Sequence, residues 1–162
     1  MTWLSKLESI VSRLLDEVGG GEPYFDKFDE LMRHGENLEI VKRLLKVQGH
    51  IVASGRFGSY LGELQQQGAL QLKANFILVT GGLRKGATAK VEYQRASASG
   101  DFTFVDDSYY SGITERQVKS LLESLGAKVT STRVIYDGSP SKAPHVKALF
   151  RYYDNYPRQD AR

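Results

Sequence analysis

The sequence predicts an α/β fold: a mostly parallel sheet flanked by helices, with a helical N-terminal appendage. Three observations predict it. Short, β-leaning apolar runs start at His50, Asn75, Asp101 and Val129. Helical apolar spacing separates them, in Tyr60, Leu61 and Leu64 and again in Val118, Leu121, Leu122 and Leu125. Strands that alternate with helices read as βαβ units, and parallel pairing needs such crossovers. Residues 1–47, by contrast, carry helical spacing alone.

In chain order, Trp3, Leu4, Leu7, Ile10, Val11, Leu14, Leu15 and Val18 form one apolar helical stripe, which Gly19-Gly20-Gly21 stops. Pro23 opens a second short helix bearing Phe25, Phe28, Leu31 and Met32. Asn37 caps a third, with Leu38, Val41, Leu44 and Leu45. The run His50–Ser54 reads as a strand, followed by the turn Gly55-Arg56-Phe57-Gly58 and a helix. Asn75–Thr80 is a buried strand ended by Gly81-Gly82, and Thr88–Gln94 alternates as a half-exposed strand does. Asp101–Val105 reads as a strand that delivers Asp106 and Asp107, and Val129–Tyr136 as the last strand. Val146–Tyr153 reads as a short final helix. The expected organisation is one domain over residues 1–162, with 1–47 as appendage or hood and 48–156 as the α/β core.

Composition narrows the chemistry. The 162 residues are 41% apolar and 25% charged, with a net charge of +3 spread along the chain. That spread gives no basic tract of the kind nucleic-acid binding favours. There is no cysteine, which excludes disulfides and thiolate chemistry. His34, His50 and His145 lie far apart and form no ligand motif, so no metal site built from protein side chains is expected. No apolar run suits a membrane span and the N-terminus does not pattern as a signal peptide, so a cytoplasmic protein with no membrane partner is expected.

In open parallel sheets, ligands bind beyond the carboxyl ends of strands. Four segments should emerge there, near Gly55, Gly81, Asp106 and Asp137. The most informative is Phe102-Thr-Phe-Val-Asp106-Asp107-Ser108-Tyr-Tyr-Ser111-Gly112-Ile113-Thr114. It joins paired carboxylates to a small-residue turn that opens into a helix. Backbone N–H groups of such a turn make a phosphate cradle, and Gly112 allows close approach. Ser111 and Thr114 add hydroxyls, and the acids suit vicinal sugar hydroxyls, which donate to carboxylate oxygens. A plainer alternative has Thr114 capping the helix, with Glu115 in its first turn. Capping accounts for the turn and leaves the paired acids without a purpose.

This segment resembles the phosphoribosyl-diphosphate motif of the type I phosphoribosyltransferases: an apolar strand, two acids, three variable residues, then Thr/Ser-Gly-x-Thr. The resemblance implies a Rossmann-like sheet, with Asp106 and Asp107 on the ribose hydroxyls, Ser108 beside them, and Ser111, Gly112, Ile113 and Thr114 on the 5-phosphate. The family usually has smaller residues at Tyr109 and Tyr110. Upstream, Leu83-Arg84-Lys85-Gly86-Ala-Thr-Ala-Lys90 resembles the family's catalytic loop, closest in pattern to the orotate enzymes, although their His-Gly pair is absent. Arg84, Lys85 and Lys90, with Asp107, are the catalytic residues it implies. Gly55 and Arg56 stand where the family binds diphosphate, and the Ser54-Gly55 peptide is where it often has a cis bond. Asp137 and Ser139 fall in the loop that helps bind the base. The resemblance runs from about His50 to Pro140.

It implies transfer of ribose 5-phosphate from 5-phosphoribosyl 1-diphosphate to a nitrogenous base, orotate among the options, with release of diphosphate. Mg²⁺ would be carried mainly by the substrate's oxygens, and a homodimer is expected. The alternative is a non-catalytic regulatory module on the same fold that binds phosphoribosyl diphosphate, a nucleotide or nucleic acid.

Overall fold

The computed structural model of the chain describes residues 38–46, 50–71, 76–80, 90–94, 100–139 and 143–151. The two expected helices before Asn37, the expected loop bearing Arg84 and Lys85, and the residues after Arg151 lie outside the described residues.

The elements are α1 (Leu38–Leu44), β1 (His50–Ser54), α2 (Gly55–Gln66), β2 (Phe76–Thr80), β3 (Lys90–Gln94), β4 (Gly100–Tyr109), α3 (Ile113–Ser124), β5 (Ala127–Asp137) and β6 (Val146–Arg151). They build a six-stranded sheet in the order β3-β2-β1-β4-β5-β6. Five strands run parallel, and β3 pairs antiparallel with β2 at one edge. The mostly parallel sheet expected from the sequence is present.

The apolar runs became central strands because both faces of the sheet are covered. Side chains alternate between faces. Ile51, Ala53, Phe76, Leu78 and Val105 pack with Ile40, Val41 and Leu44 of α1 and with Phe57 and Leu61 of α2. Val52, Ile77, Val79, Phe102 and Phe104 pack on the other side with Val118 and Leu122 of α3. Val52, Leu44, Leu61, Ile77, Val118 and Leu122 are all fully buried, so each contributes about 1.5–3 kcal/mol of burial before entropy is counted.

Two expectations are corrected. Val146–Arg151 is a strand, not the start of a helix. It runs parallel to β5, with Thr132 paired to Val146 and Val134 to Ala148. Val146 and Ala148, two residues apart, pack with Val134. The helical spacing in this stretch yielded to the open flank of β5, where the backbone gains a ladder partner. Secondly, β4 does not stop before the aspartates but runs to Tyr109. Beside it, β5 reaches Asp137 and keeps pairing: Asp106 with Val134, Ser108 with Tyr136, Tyr109 with Asp137. On its other flank, pairing with β1 ends at Ala53 and Val105. The two acids therefore clear the sheet on the β1 side only.

The order of strands fixes where a ligand can sit. From β1 the chain moves out to β2 and β3, then crosses back to β4 on the opposite flank of β1. Connections therefore diverge at the β1–β4 boundary, leaving a crevice at the carboxyl rim.

Candidate functional site

Both strands at that boundary pass into helices through a glycine in the left-handed region. Gly55, with φ of 59°, follows β1 directly and begins α2. Gly112, with φ of 79°, caps α3. A residue with a Cβ is strained in this conformation. Neither helix start receives a hydrogen bond from its capping side chain. The capping alternative for Thr114 is thereby set aside, because Thr114 is the second residue of α3 and Gly112 holds the capping position. The first intrahelical bond runs from Arg116 N to Gly112 O at 3.0 Å. The N–H groups ahead of it lack helical partners, as at any helix start. Ile113 N makes one long contact with Ser111 Oγ, at 3.5 Å.

A cleft of about 180 Å³ opens at this junction. That is far more than the roughly 10–15 Å³ one water needs, and is sufficient for an anion. Asp106, Ser108, Ser111, Gly112, Ile113 and Thr114 all line it, as do Phe104, Tyr109, Tyr110 and Glu115. Six of the site residues expected from the sequence thus meet around one hollow. Asp107 is not in the lining; by strand alternation it shares the face of Val105, opposite Asp106 and Phe104. Asp106 Oδ1 accepts from Asp107 N at 2.9 Å, and Asp107 Oδ1 accepts from Ser108 Oγ at 3.2 Å.

Both tyrosines line the cleft, with different further contacts. Tyr110 packs edge-on against the fully buried Tyr136, with ring centroids 6.1 Å apart. The Tyr109 ring reaches over the turn: a Cβ added to Gly112 would lie 2.6 Å from its hydroxyl.

Residues that the sequence reading gave no part in binding complete this neighbourhood. Glu115, 4% exposed, places its carboxylate against His145, whose Nε2 lies 3.0 and 3.1 Å from the two oxygens. Lys119 Nζ is 3.8 Å away, one helical turn on. Tyr109 Oη reaches Glu115 at 3.5 Å, and its ring meets His145 edge-on at 6.0 Å. Burial pushes the Glu115 carboxyl up, but Thr132, His145 and Lys119 more than offset this, leaving it below the usual glutamate value. Thr132 Oγ1 makes no bond of good geometry, whereas His145 Nε2 lies within bonding distance of both carboxylate oxygens. Burial, followed by the charge of Glu115, pushes the Tyr109 phenol up, so it stays protonated at neutral pH. Arg116 Nη1 donates to Ser111 O at 3.3 Å, which sets a guanidinium beside the turn. A basic residue four places after the turn glycine was the available signal for Arg116. His145 gave none, because it directly precedes the segment misread as helical and is brought to Glu115 by the pairing of β6 with β5.

The remaining expected residues lie elsewhere. Asp137 ends β5 with its carboxylate used internally: it accepts Ser139 N at 2.9 Å and pairs with Arg151 of β6. It is 3% exposed, so the structure gives it a bracing task rather than one facing a base. Arg56 lies in the first turn of α2 and Lys90 opens β3. Arg84 and Lys85 are outside the described residues. No peptide bond among the described residues is cis. No helix among them is long and apolar enough to cross a membrane.

No family model matches the chain, and no curated protein does. Solved structures do. The orotate phosphoribosyltransferase of Aeropyrum pernix is similar with a TM-score of 0.55 at 18% identity, covering 82% of this chain and 82% of that one. The adenine phosphoribosyltransferase of Thermoanaerobacter pseudethanolicus is similar with a TM-score of 0.51 at 17% identity, covering 72% and 79%. The fold is that of the type I phosphoribosyltransferases. Within it the orotate and adenine enzymes match to a similar extent, so the phosphoribosyltransferase fold alone does not single out a base.

Proposed function

We propose that the protein is a phosphoribosyltransferase that moves ribose 5-phosphate from 5-phosphoribosyl 1-diphosphate to a nitrogenous base and releases diphosphate. One observation carries this reading. At the point where the sheet's connections diverge, an acid-bearing strand runs into a helix whose start is a left-handed glycine without a side-chain cap, and a cleft lies between them. The N–H groups of Gly112, Ile113 and Thr114, with the Ser111 and Thr114 hydroxyls, suit the 5-phosphate. Arg116 adds a cation at the rim of the turn. Asp106 and Asp107 suit the ribose hydroxyls, as charge-assisted acceptors worth about 1.5–3 kcal/mol each.

The chemistry asked of the protein is positioning and electrostatics. As the bond to diphosphate breaks, positive charge grows at the anomeric carbon and negative charge on the leaving group. Arg84, Lys85 and Lys90, in the segment that resembles the family's catalytic loop, would stabilise the departing anion. Gly55 and Arg56 at the start of α2 would hold it before departure. The role of steadying the sugar that the resemblance implies for Asp107 would have to be met from the sheet's rim, since Asp107 does not line the cleft. Mg²⁺ would arrive on the substrate's oxygens, and the Asp106 carboxylate on the cleft wall is a hard oxygen donor of the kind it accepts. Bound there, it would neutralise diphosphate charge. A homodimer and a cytoplasmic setting belong to the same proposal.

Calorimetry with 5-phosphoribosyl 1-diphosphate and Mg²⁺ tests it, followed by assay of diphosphate release over a panel of bases that includes orotate and adenine. Binding near the micromolar range, about −8 kcal/mol, is expected. Asp106→Asn and Asp107→Asn should each weaken it about tenfold or more, in line with a lost charge-assisted bond. Lys85→Ala should lower turnover more than binding. A second reading, a regulatory module that keeps the sugar-phosphate site without catalysis, is favoured by Tyr109, whose hydroxyl narrows the approach to Gly112. Binding with no turnover on any base would select it.

A further inference from the structure

The cleft wall sets an electrostatic problem for the ligand proposed above. Its charged lining residues are two carboxylates, Asp106 and Glu115. Asp106 suits sugar hydroxyls, but Glu115 does not suit a phosphate. It is the third residue of α3, beside the amides that would hold the anion, and its burial limits screening by water. Left uncompensated, it would oppose a phosphate dianion at the helix start.

The structure supplies compensation. His145 places one ring nitrogen between both Glu115 oxygens, at 3.0 and 3.1 Å, while the ring is half exposed and open to protons from solvent. The same ring abuts Tyr109, which covers Gly112. His145 therefore touches two groups that touch the turn, without lining the cleft itself.

We propose that His145 is a positioning residue for phosphate at the Ser111–Thr114 turn, acting by carrying the proton that offsets the Glu115 carboxylate when the anion binds. The inference rests on the sugar-phosphate reading of the cleft. Its consequence is linkage: phosphate favours protonated His145, and protonated His145 favours phosphate to the same degree. His145 meets Glu115 of α3 and Tyr109 of β4; Lys119 of α3 lies by Glu115, and the charges of Arg116 and of Asp137, itself paired with Arg151, act on Tyr109. Of these side-chain types, only histidine ordinarily changes charge between about pH 5 and 8.

The test is the dissociation constant of ribose 5-phosphate, by calorimetry from about pH 6 to about pH 8.5, for the wild type, His145→Gln and Glu115→Gln. This span brackets histidine titration. A phosphomonoester loses its second proton near pH 6, but that effect is common to all three proteins and cancels in their ratios. His145→Gln should bind about tenfold more weakly than wild type near pH 6, the effect of one pKa unit of coupling, and the ratio should approach one near pH 8.5. Glu115→Gln should bind at least as tightly as wild type near pH 8.5, since the opposing charge is gone. A ratio that stays constant with pH would mean that the His145 ring serves packing alone, and the inference falls while the sugar-phosphate site stands. Absence of wild-type binding at every pH would overturn both.

Discussion

At the residue scale, Gly112 bears most of the account. Its left-handed backbone and the 2.6 Å approach of Tyr109 Oη to a virtual Cβ act together. Gly112→Ala should cost about 1–2 kcal/mol of stability from the backbone alone, read by urea unfolding, and should abolish measurable ribose 5-phosphate binding. Tyr109→Phe in the same background removes the hydroxyl contact but not the strain, so stability should recover only in part. Gly58 offers a contrast away from the cleft. A Cβ there would lie 2.2 Å from Leu78 Cδ1 and 3.2 Å from the Ala53 carbonyl carbon. Alanine's helix propensity gains about 1 kcal/mol, whereas overpacking costs about 1–3. Gly58→Ala should therefore destabilise the fold, with ligand affinity unchanged in the folded fraction. For Glu115, the folded carboxyl is held below the ordinary glutamate value. Its stabilising contribution is thus complete above that value and is lost as pH falls through the depressed one. Acid unfolding of Glu115→Gln should show a shallower loss of stability across this range.

At the scale of elements, β6 and its clip are the main lesson. Arg151 bonds the Asp137 carboxylate and the carbonyls of Ala143 and Val146, tying the last described strand to the end of β5. Asp137 is nearly inaccessible, so removing its partner leaves a buried charge. Arg151→Met should cost about 3 kcal/mol, and hydrogen exchange should show faster opening along β6 than along β1 or β4. The sequence revealed the central strands because they are buried on both faces and read as unbroken apolar runs: Ile51-Val52-Ala53 and Phe76-Ile77-Leu78-Val79. It hid β6 because Val146, Leu149 and Phe150 satisfy helical spacing too, and only the vacant flank of β5 decides between the two. The extension of β4 past Val105 was hidden for a related reason. Two adjacent aspartates read as a strand's end, while the ladder with β5, set by tertiary pairing, carries the strand onward to Tyr109.

For the whole molecule, the alternation of strands and helices anticipated the parallel sheet, and the Ser111–Thr114 turn was legible because its glycine and small residues have local backbone causes. What surrounds that turn was not legible, since it is assembled across the fold. Glu115 and His145 meet over thirty residues of chain, and Arg116 meets Ser111 only once α3 is formed. The β1–β4 crevice likewise follows from strand order, which no local pattern encodes. The most direct measurement of the central claim is an amide-resolved NMR titration of the labelled protein with ribose 5-phosphate. The account predicts that the largest shifts fall on the amides of Ser111, Gly112, Ile113, Thr114 and Glu115, with smaller ones at Asp106 and Ser108. Saturating ligand that leaves those amides unmoved, or shifts gathered at another surface, would contradict it.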